Sequence, residues 1–203
     1  MAIVLVRHGE TEGNVRRFLQ FPDTPLSPRG EAQAMCVASR LASHRIGAIV
    51  ASDYARALRT AEAICDASGT GLEFDVGLRE RNFGALRGRS YDELEVDPFA
   101  PGYTPPDGES WEDLYARADA TWERAVERAP AVDGDLVLVS HGLLIHAIVS
   151  RRLDLASAAA PPGFGNTAVT IAEARAPFTV SVLGCTAHLD EATAHDERTV
   201  SGI

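Results

Sequence analysis

The sequence predicts a three-layer α/β/α sandwich with a mostly parallel central sheet and a helical insertion over the active site. Three observations predict it. Short apolar runs rich in β-branched residues alternate with stretches of helical periodicity, as in crossover-connected parallel strands. The runs read as buried strands, apolar throughout rather than alternating, as in sheets covered on both faces. The chain of 203 residues suits one domain, and at that size roughly 70% of the unfolded surface is buried.

The elements follow in order. Residues 3–6 are the first apolar run. Ser27-Pro28 then opens a helix, Ser as N-cap and Pro at the first helical position, whose apolar spacing (Ala34, Val37, Ala38, Leu41) predicts a helix to about His44. Residues 46–51 form a second strand, Ser52 caps a helix over about 54–67, and residues 72–75 form a third, short strand. Strand signals then cease over 81–133, read as an insertion that caps one edge of the sheet. Within it Ser90-Tyr91-Asp92-Glu93 is a capping box and residues 98–108 a Pro/Gly-rich loop. Ser110 caps a helix whose stripe is Trp111, Leu114, Tyr115, Ala118, Trp122, Ala125 and Val126; such aromatics at helical spacing are packing residues. A fourth strand at 135–140, a helix over 142–153 and strands at 168–172 and 178–183 complete a single domain, 1–203. The polar tail, 190–203, is expected to be mobile.

Composition narrows the function. The formal net charge is −10, which repels a nucleic-acid backbone or an anionic membrane, so neither is expected as a partner. Every one of the 19 basic residues is arginine, and a local convergence of arginines still binds a small anion. Three scattered cysteines, Cys36, Cys65 and Cys185, lack metal spacing and suit a reducing cytoplasm. The N-terminal apolar run is too short for a signal peptide or a membrane span, so a cytoplasmic protein is expected. A homodimer is compatible with all of this.

Position carries most of the functional information. Arg7-His8-Gly9 lies at the end of the first strand and Ser140-His141-Gly142 at the end of the fourth, with Arg56 early in the helix after the second. Parallel α/β sheets bind ligands beyond the carboxyl ends of their strands, so two histidines and two arginines meet on one rim. That set suits phosphoryl transfer. Arginine forks match phosphoryl oxygens bidentately, a neutral imidazole is a competent nucleophile, and Glu80, after the third strand, is placed to protonate a leaving alkoxide. No histidine spacing suggests a metal site, and the arginines supply the positive charge a metal would bring, so neither metal nor cofactor is expected.

Val6-Arg7-His8-Gly9-Glu10-Thr11 resembles the signature of the histidine phosphatase superfamily, the phosphoglycerate mutase-like family. The resemblance continues through Asn14, Gln20, Asp23, Pro25-Leu26-Ser27 and Gly30, then Ser52 with Arg56-Ala57 and Thr60-Ala61. Leu78-Arg79-Glu80 with Phe83-Gly84, Gly108-Glu109-Ser110, Val139-Ser140-His141-Gly142 and Asn166 complete it. It implies His8 as nucleophile, Glu80 as general acid and then base, and Arg7, Arg56 and His141 as the phosphate cradle. Asn14 and the backbone N–H of Gly142 become supporting donors, and Gln20 and Phe21 line the substrate side.

Within that family the mutases carry a longer insertion with lysine and paired arginines that clamp the substrate. This chain has no lysine and no arginine pair in 81–133. No implied catalytic position is substituted, which disfavours an inactive binder. The expectation is a metal-independent phosphatase acting on a small phosphorylated metabolite through a phosphohistidine on His8, with mutase as the alternative.

Overall fold

The computed structural model describes residues 1–156, 158–194 and 201–202. Its strands are β1 (Ala2–Arg7), β2 (Ile46–Ala51), β3 (Leu72–Phe74), β4 (Asp135–Ser140), β5 (Gly163–Phe164), β6 (Val169–Glu173), β7 (Val180–Cys185) and β8 (Ser201–Gly202). The α-helices are α1 (Glu12–Val15), α2 (Pro28–Leu41), α3 (Ala55–Ser68), α4 (Trp111–Arg128) and α5 (Gly142–Arg152). The main sheet runs β3-β2-β4-β1-β6-β7; β1 to β4 pair in parallel, and β6 and β7 add antiparallel at one side. β5 and β8 form a separate ribbon.

The strands are apolar on both faces because both are covered. Ile3 and Leu5 of β1, with Leu136 and Leu138 of β4, point into a core shared with Leu114 and Trp122 of α4 and Leu144 and Ile148 of α5. Val4, Val6, Val137 and Val139 point the other way, onto Val37 and Leu41 of α2 and Ala61 and Ile64 of α3. Each such aliphatic side chain contributes about 1.5–3 kcal/mol on full burial. Segment 81–133 therefore divides in two. Residues 81–109 wrap the rim of the sheet, whereas α4 lies beside α5 as part of the third layer.

Most element ends carry their expected caps. Ser27 Oγ accepts the Gly30 N–H with Pro28 behind it, and Ser110 accepts from Asp113. α3 stops at Gly69, whose φ of +73° is the left-handed cap glycine allows. Some ends differ from expectation. α2 closes at Leu41, with Ala42 as its cap. β3 stops at Phe74 because the Asp75 carboxylate takes the Gly77 N–H at 2.7 Å and turns the chain into a short 3-10 helix. Ser90 does cap, but one 3-10 turn, Tyr91–Glu93. The N-cap of α3 is Tyr54, not Ser52, whose hydroxyl faces the sheet rim instead. Part of the polar tail is engaged: a turn at 190–193 accepts the Gln33 amide on the Thr193 carbonyl, and Ser201–Gly202 pairs with β5. Residues 195–200 and 203 of that tail lie outside the described residues. Among the described residues no helix is long and apolar enough to cross a membrane.

Register sets the site. Arg7 pairs with Ser140 and Ala51 with Val139. The residues that follow each strand, His8, Ser52 and His141, are thus delivered side by side.

Candidate active site

The loop after β1 is held from three sides. The His8 N–H donates to the Ser140 carbonyl at 3.0 Å, and the Gly9 N–H to Thr60 Oγ1 of α3 at 3.0 Å. The His8 carbonyl accepts from the Thr167 N–H and from Asn166 Nδ2, each at 3.2 Å. Glycine is required at position 9, where a Cβ would lie 2.5 Å from the Gly30 carbonyl oxygen.

These bonds aim one nitrogen of His8. Its Nδ1 lies 2.7 Å from the Gly9 carbonyl, which only accepts, so Nδ1 carries the proton and Nε2 keeps its lone pair. Arg56 Nε donates to that Nε2 at 3.3 Å. Burial, then the charges of Arg56 and Arg7, hold His8 well below the usual imidazole range. The ring is neutral at physiological pH, as a nucleophile must be.

Arg7 and Arg56 are both buried, and burial lowers each to about 10, still cationic at neutral pH. Arg7 donates to the Phe164 carbonyl and Arg56 Nη1 to the Phe21 carbonyl at 3.0 Å, while Arg56 also lies over the Tyr54 ring. Glu80 is the acid whose charge acts on both. Two buried cations lining one cavity suit a phosphoryl dianion.

Glu80 is half-buried on the pocket wall. Its Oε1 accepts the Arg81 N–H at 2.9 Å and its Oε2 the Leu143 N–H in the first turn of α5 at 3.3 Å. Asn14 caps the other wall. Its Oδ1 takes the Thr11 N–H and Asn166 Nδ2, leaving the amide N–H2 as its free end toward the pocket. Gln20 also lines the pocket, with Thr11 Oγ1 donating to its Oε1 at 2.8 Å.

His141 is placed differently. Its ring centroid lies 5.1 Å from that of His8, and the residue is fully buried. Nε2 is 2.8 Å from Ser52 Oγ and Nδ1 has no partner. Burial, then Arg56 and His8, lower it well below the usual imidazole range. Gly142 opens α5, and the next residue, Leu143, lines the cavity. The Phe21 ring is half exposed and lies against Gly88, and the Phe21 carbonyl accepts from Arg56.

Several contributors carry no sequence signal. Tyr54, Tyr91, Phe99 and Arg87 line the pocket. Tyr91 packs edge-on against Phe99 and under Arg17, and burial and the Glu80 charge raise its phenol. Arg81 is a buried clamp: it donates to the carbonyls of Pro98, Tyr103 and Glu109 and stacks on Trp111, fastening the 98–109 loop. Behind His8 runs a polar relay. Arg40 can only donate, so His188 Nδ1 accepts at 3.1 Å and its Nε2–H donates to Thr167 Oγ1 at 3.0 Å. Thr167, in left-handed backbone at φ +54°, passes this support to the His8 carbonyl. Among the described residues no three His, Cys, Asp or Glu side chains converge as a metal would need.

Comparison with known proteins agrees with this geometry. Residues 3–182 match the model of the histidine phosphatase superfamily (branch 1). The chain is 39% identical over 166 residues to a probable phosphoglycerate mutase, GpmB, of Escherichia coli O1:K1, covering 76% of each chain. Among solved structures it resembles YhfR of Bacillus stearothermophilus at 32% identity and a TM-score of 0.80, covering 93% of this chain and 99% of that one. It also resembles a mycobacterial glucosyl-3-phosphoglycerate phosphatase at 27% identity and a TM-score of 0.76, over 91% of this chain and 99% of that one.

Proposed function

Because the chain belongs to the histidine phosphatase superfamily, we propose that it hydrolyses phosphoric monoesters of small metabolites through a phosphohistidine on His8, without a metal. The observation that carries this reading is the bond between His8 Nδ1 and the Gly9 carbonyl, which leaves a neutral, unprotonated Nε2 beside Arg56 in a pocket walled by Arg7 and Glu80. The Nε2 lone pair attacks phosphorus as the ester P–O bond breaks, and Glu80 delivers its proton to the departing oxygen. Glu80 then takes a proton from water, the water oxygen attacks phosphorus, the P–N bond breaks, and inorganic phosphate leaves. Arg7 and Arg56 hold the non-bridging oxygens throughout, with the free amide of Asn14 beside them. The unpartnered Nδ1 of His141 suits a donor that a phosphoryl oxygen satisfies.

Residues 81–109 wall this pocket, which favours a metabolite over a phosphorylated protein surface. The phosphatase named among the structural relatives supports hydrolysis, whereas the probable mutase from Escherichia coli favours isomerisation of phosphoglycerate as a second reading. One experiment separates them. With 3-phosphoglycerate and excess chelator, a phosphatase releases inorganic phosphate or leaves the compound intact while still hydrolysing p-nitrophenyl phosphate. Conversion to 2-phosphoglycerate overturns the hydrolytic reading, and abolition by chelation with rescue by a divalent ion overturns the metal-free one.

A further inference from the structure

Ser52 follows β2 at the sheet rim and is fully buried, yet no step of the reaction uses it. Its N–H donates to the Val139 carbonyl at 3.0 Å, so the sheet fixes its position. Its hydroxyl has two hydrogen-bonding neighbours among the described residues. The Tyr54 N–H donates to Oγ at 3.3 Å, and His141 Nε2 lies 2.8 Å away. On the other side of that imidazole, Nδ1 is buried and has no partner among the described residues. Burial, then the Arg56 charge, keep the ring neutral at physiological pH, so one nitrogen carries a proton and the other a lone pair.

Counting hydrogens decides which is which. A hydroxyl has one hydrogen to give and lone pairs to receive. The Tyr54 N–H only donates, so the Ser52 hydrogen has one acceptor within reach, the lone pair of His141 Nε2. With that bond made, Nδ1 carries the ring proton. In the reverse arrangement Nε2–H donates to Oγ. The hydroxyl hydrogen then has no acceptor, and the Nδ1 lone pair has no donor. Two buried polar groups are left unmatched instead of one, and each unmatched group is costly.

We propose that Ser52 is a positioning residue: by donating to Nε2 it holds His141 as the Nδ1–H tautomer, so that the ring offers a donor to the phosphoryl group. A hydrogen bond to one ring nitrogen decides what the other can do. The Nδ1–H is a buried donor with no acceptor among the described residues, and a phosphoryl oxygen on His8, whose ring centroid is 5.1 Å away, supplies one. Without the Ser52 hydrogen the two tautomers become nearly equivalent. Molecules with the proton on Nε2 then meet the phosphoryl oxygens with a lone pair, which repels them. What the donor is for rests on the phosphohistidine reading; which nitrogen bears the proton does not.

Nitrogen-15 NMR of the full-length protein reads the tautomer directly, because protonated and unprotonated ring nitrogens resonate far apart. His141→Gln identifies the signals. The expected spectrum at neutral pH has Nδ1 protonated and Nε2 unprotonated; protonation at Nε2 overturns the assignment, whether or not Ser52 variants fold. In Ser52→Ala both signals should move toward an average of the two tautomers, and an unchanged spectrum removes Ser52 from the role. Turnover supplies the second arm. With p-nitrophenyl phosphate, kcat of Ser52→Ala should fall roughly tenfold or more, within the ~10²–10³-fold cost of losing one oxyanion donor, while KM changes less. Ser52→Thr keeps the hydroxyl and should recover most of the rate. A loss confined to KM, or no recovery in a Ser52→Thr protein that shows the Nδ1–H spectrum, rejects the positioning role. Hydrolysis by the unaltered protein reports on the phosphatase reading independently of the spectrum.

Discussion

Replacing Glu80 by Gln isolates its proton from its shape. Both carboxylate oxygens of Glu80 accept backbone N–H groups, from Arg81 at 2.9 Å and Leu143 at 3.3 Å. A glutamine has one acceptor oxygen, so it keeps the shorter bond and turns its N–H2 toward the Leu143 N–H. That loses one hydrogen bond and leaves a donor facing a donor, about 1–3 kcal/mol of local destabilisation. The resulting shift of the side chain slows all substrates alike. The missing proton does not act alike. Charge accumulates on the departing oxygen in the loose transition state, and an alkoxide depends on protonation where p-nitrophenolate does not. General acid catalysis is worth roughly 10²–10⁴-fold. Single-turnover phosphorylation of His8 by an alkyl phosphate therefore falls by that factor, and by p-nitrophenyl phosphate far less. Rapid quench is the assay, because Glu80 also serves the hydrolytic step common to both substrates. An equal loss on both substrates refutes Glu80 as the acid and moves the test to Glu109, which is held by Arg117 on the same cleft.

Two further predictions concern the histidines. His8 and His141 are held well below the usual imidazole value, and His188 at about 4. The unfolded chain thus binds protons near pH 6.5 that the folded chain refuses, so stability rises with pH across that window and falls as pH drops below about 6.5. The melting temperature should decline from pH 7.5 to 5, less steeply in His8→Asn; a flat profile contradicts the burial argument. The relay behind His8 predicts that His188→Leu and Thr167→Val lower kcat about tenfold or more with KM little changed, since small displacements of a nucleophile are costly. His188→Gln, which keeps a donor for Thr167, should recover most of the rate; failure to recover, or a change confined to KM, rejects a positioning role.

The fold was legible where one physical signal dominates. Apolar runs at β1, β2 and β4 and the Trp111–Trp122 stripe of α4 report burial directly, and each landed within a residue or two. The pair Gly163–Phe164 and the single turn Glu12–Val15 are too short to carry a period. Ser52 misled because a serine before a helix reads as a cap, while its hydroxyl in fact meets His141, a partner 89 positions away. In the site, His8, Arg7, Arg56 and Glu80 were placed by strand ends and motif, and the fold brings all four to one cavity. For Gly142 and Phe21, motif spacing does not say whether a backbone amide or a ring faces the cavity. Tyr91 and Thr167 were invisible because each acts through tertiary neighbours: a loop folded over the rim, and a left-handed residue that is not glycine.

The central claim is that phosphorus bonds to His8 Nε2 during turnover. Rapid acid-free quenching with a slowly hydrolysed ester, followed by peptide mapping, tests it most directly. The account predicts phosphate on the peptide containing His8, labile in acid and stable in base, and absent from His8→Ala. An acid-stable phosphoenzyme, or full turnover by His8→Ala, contradicts it.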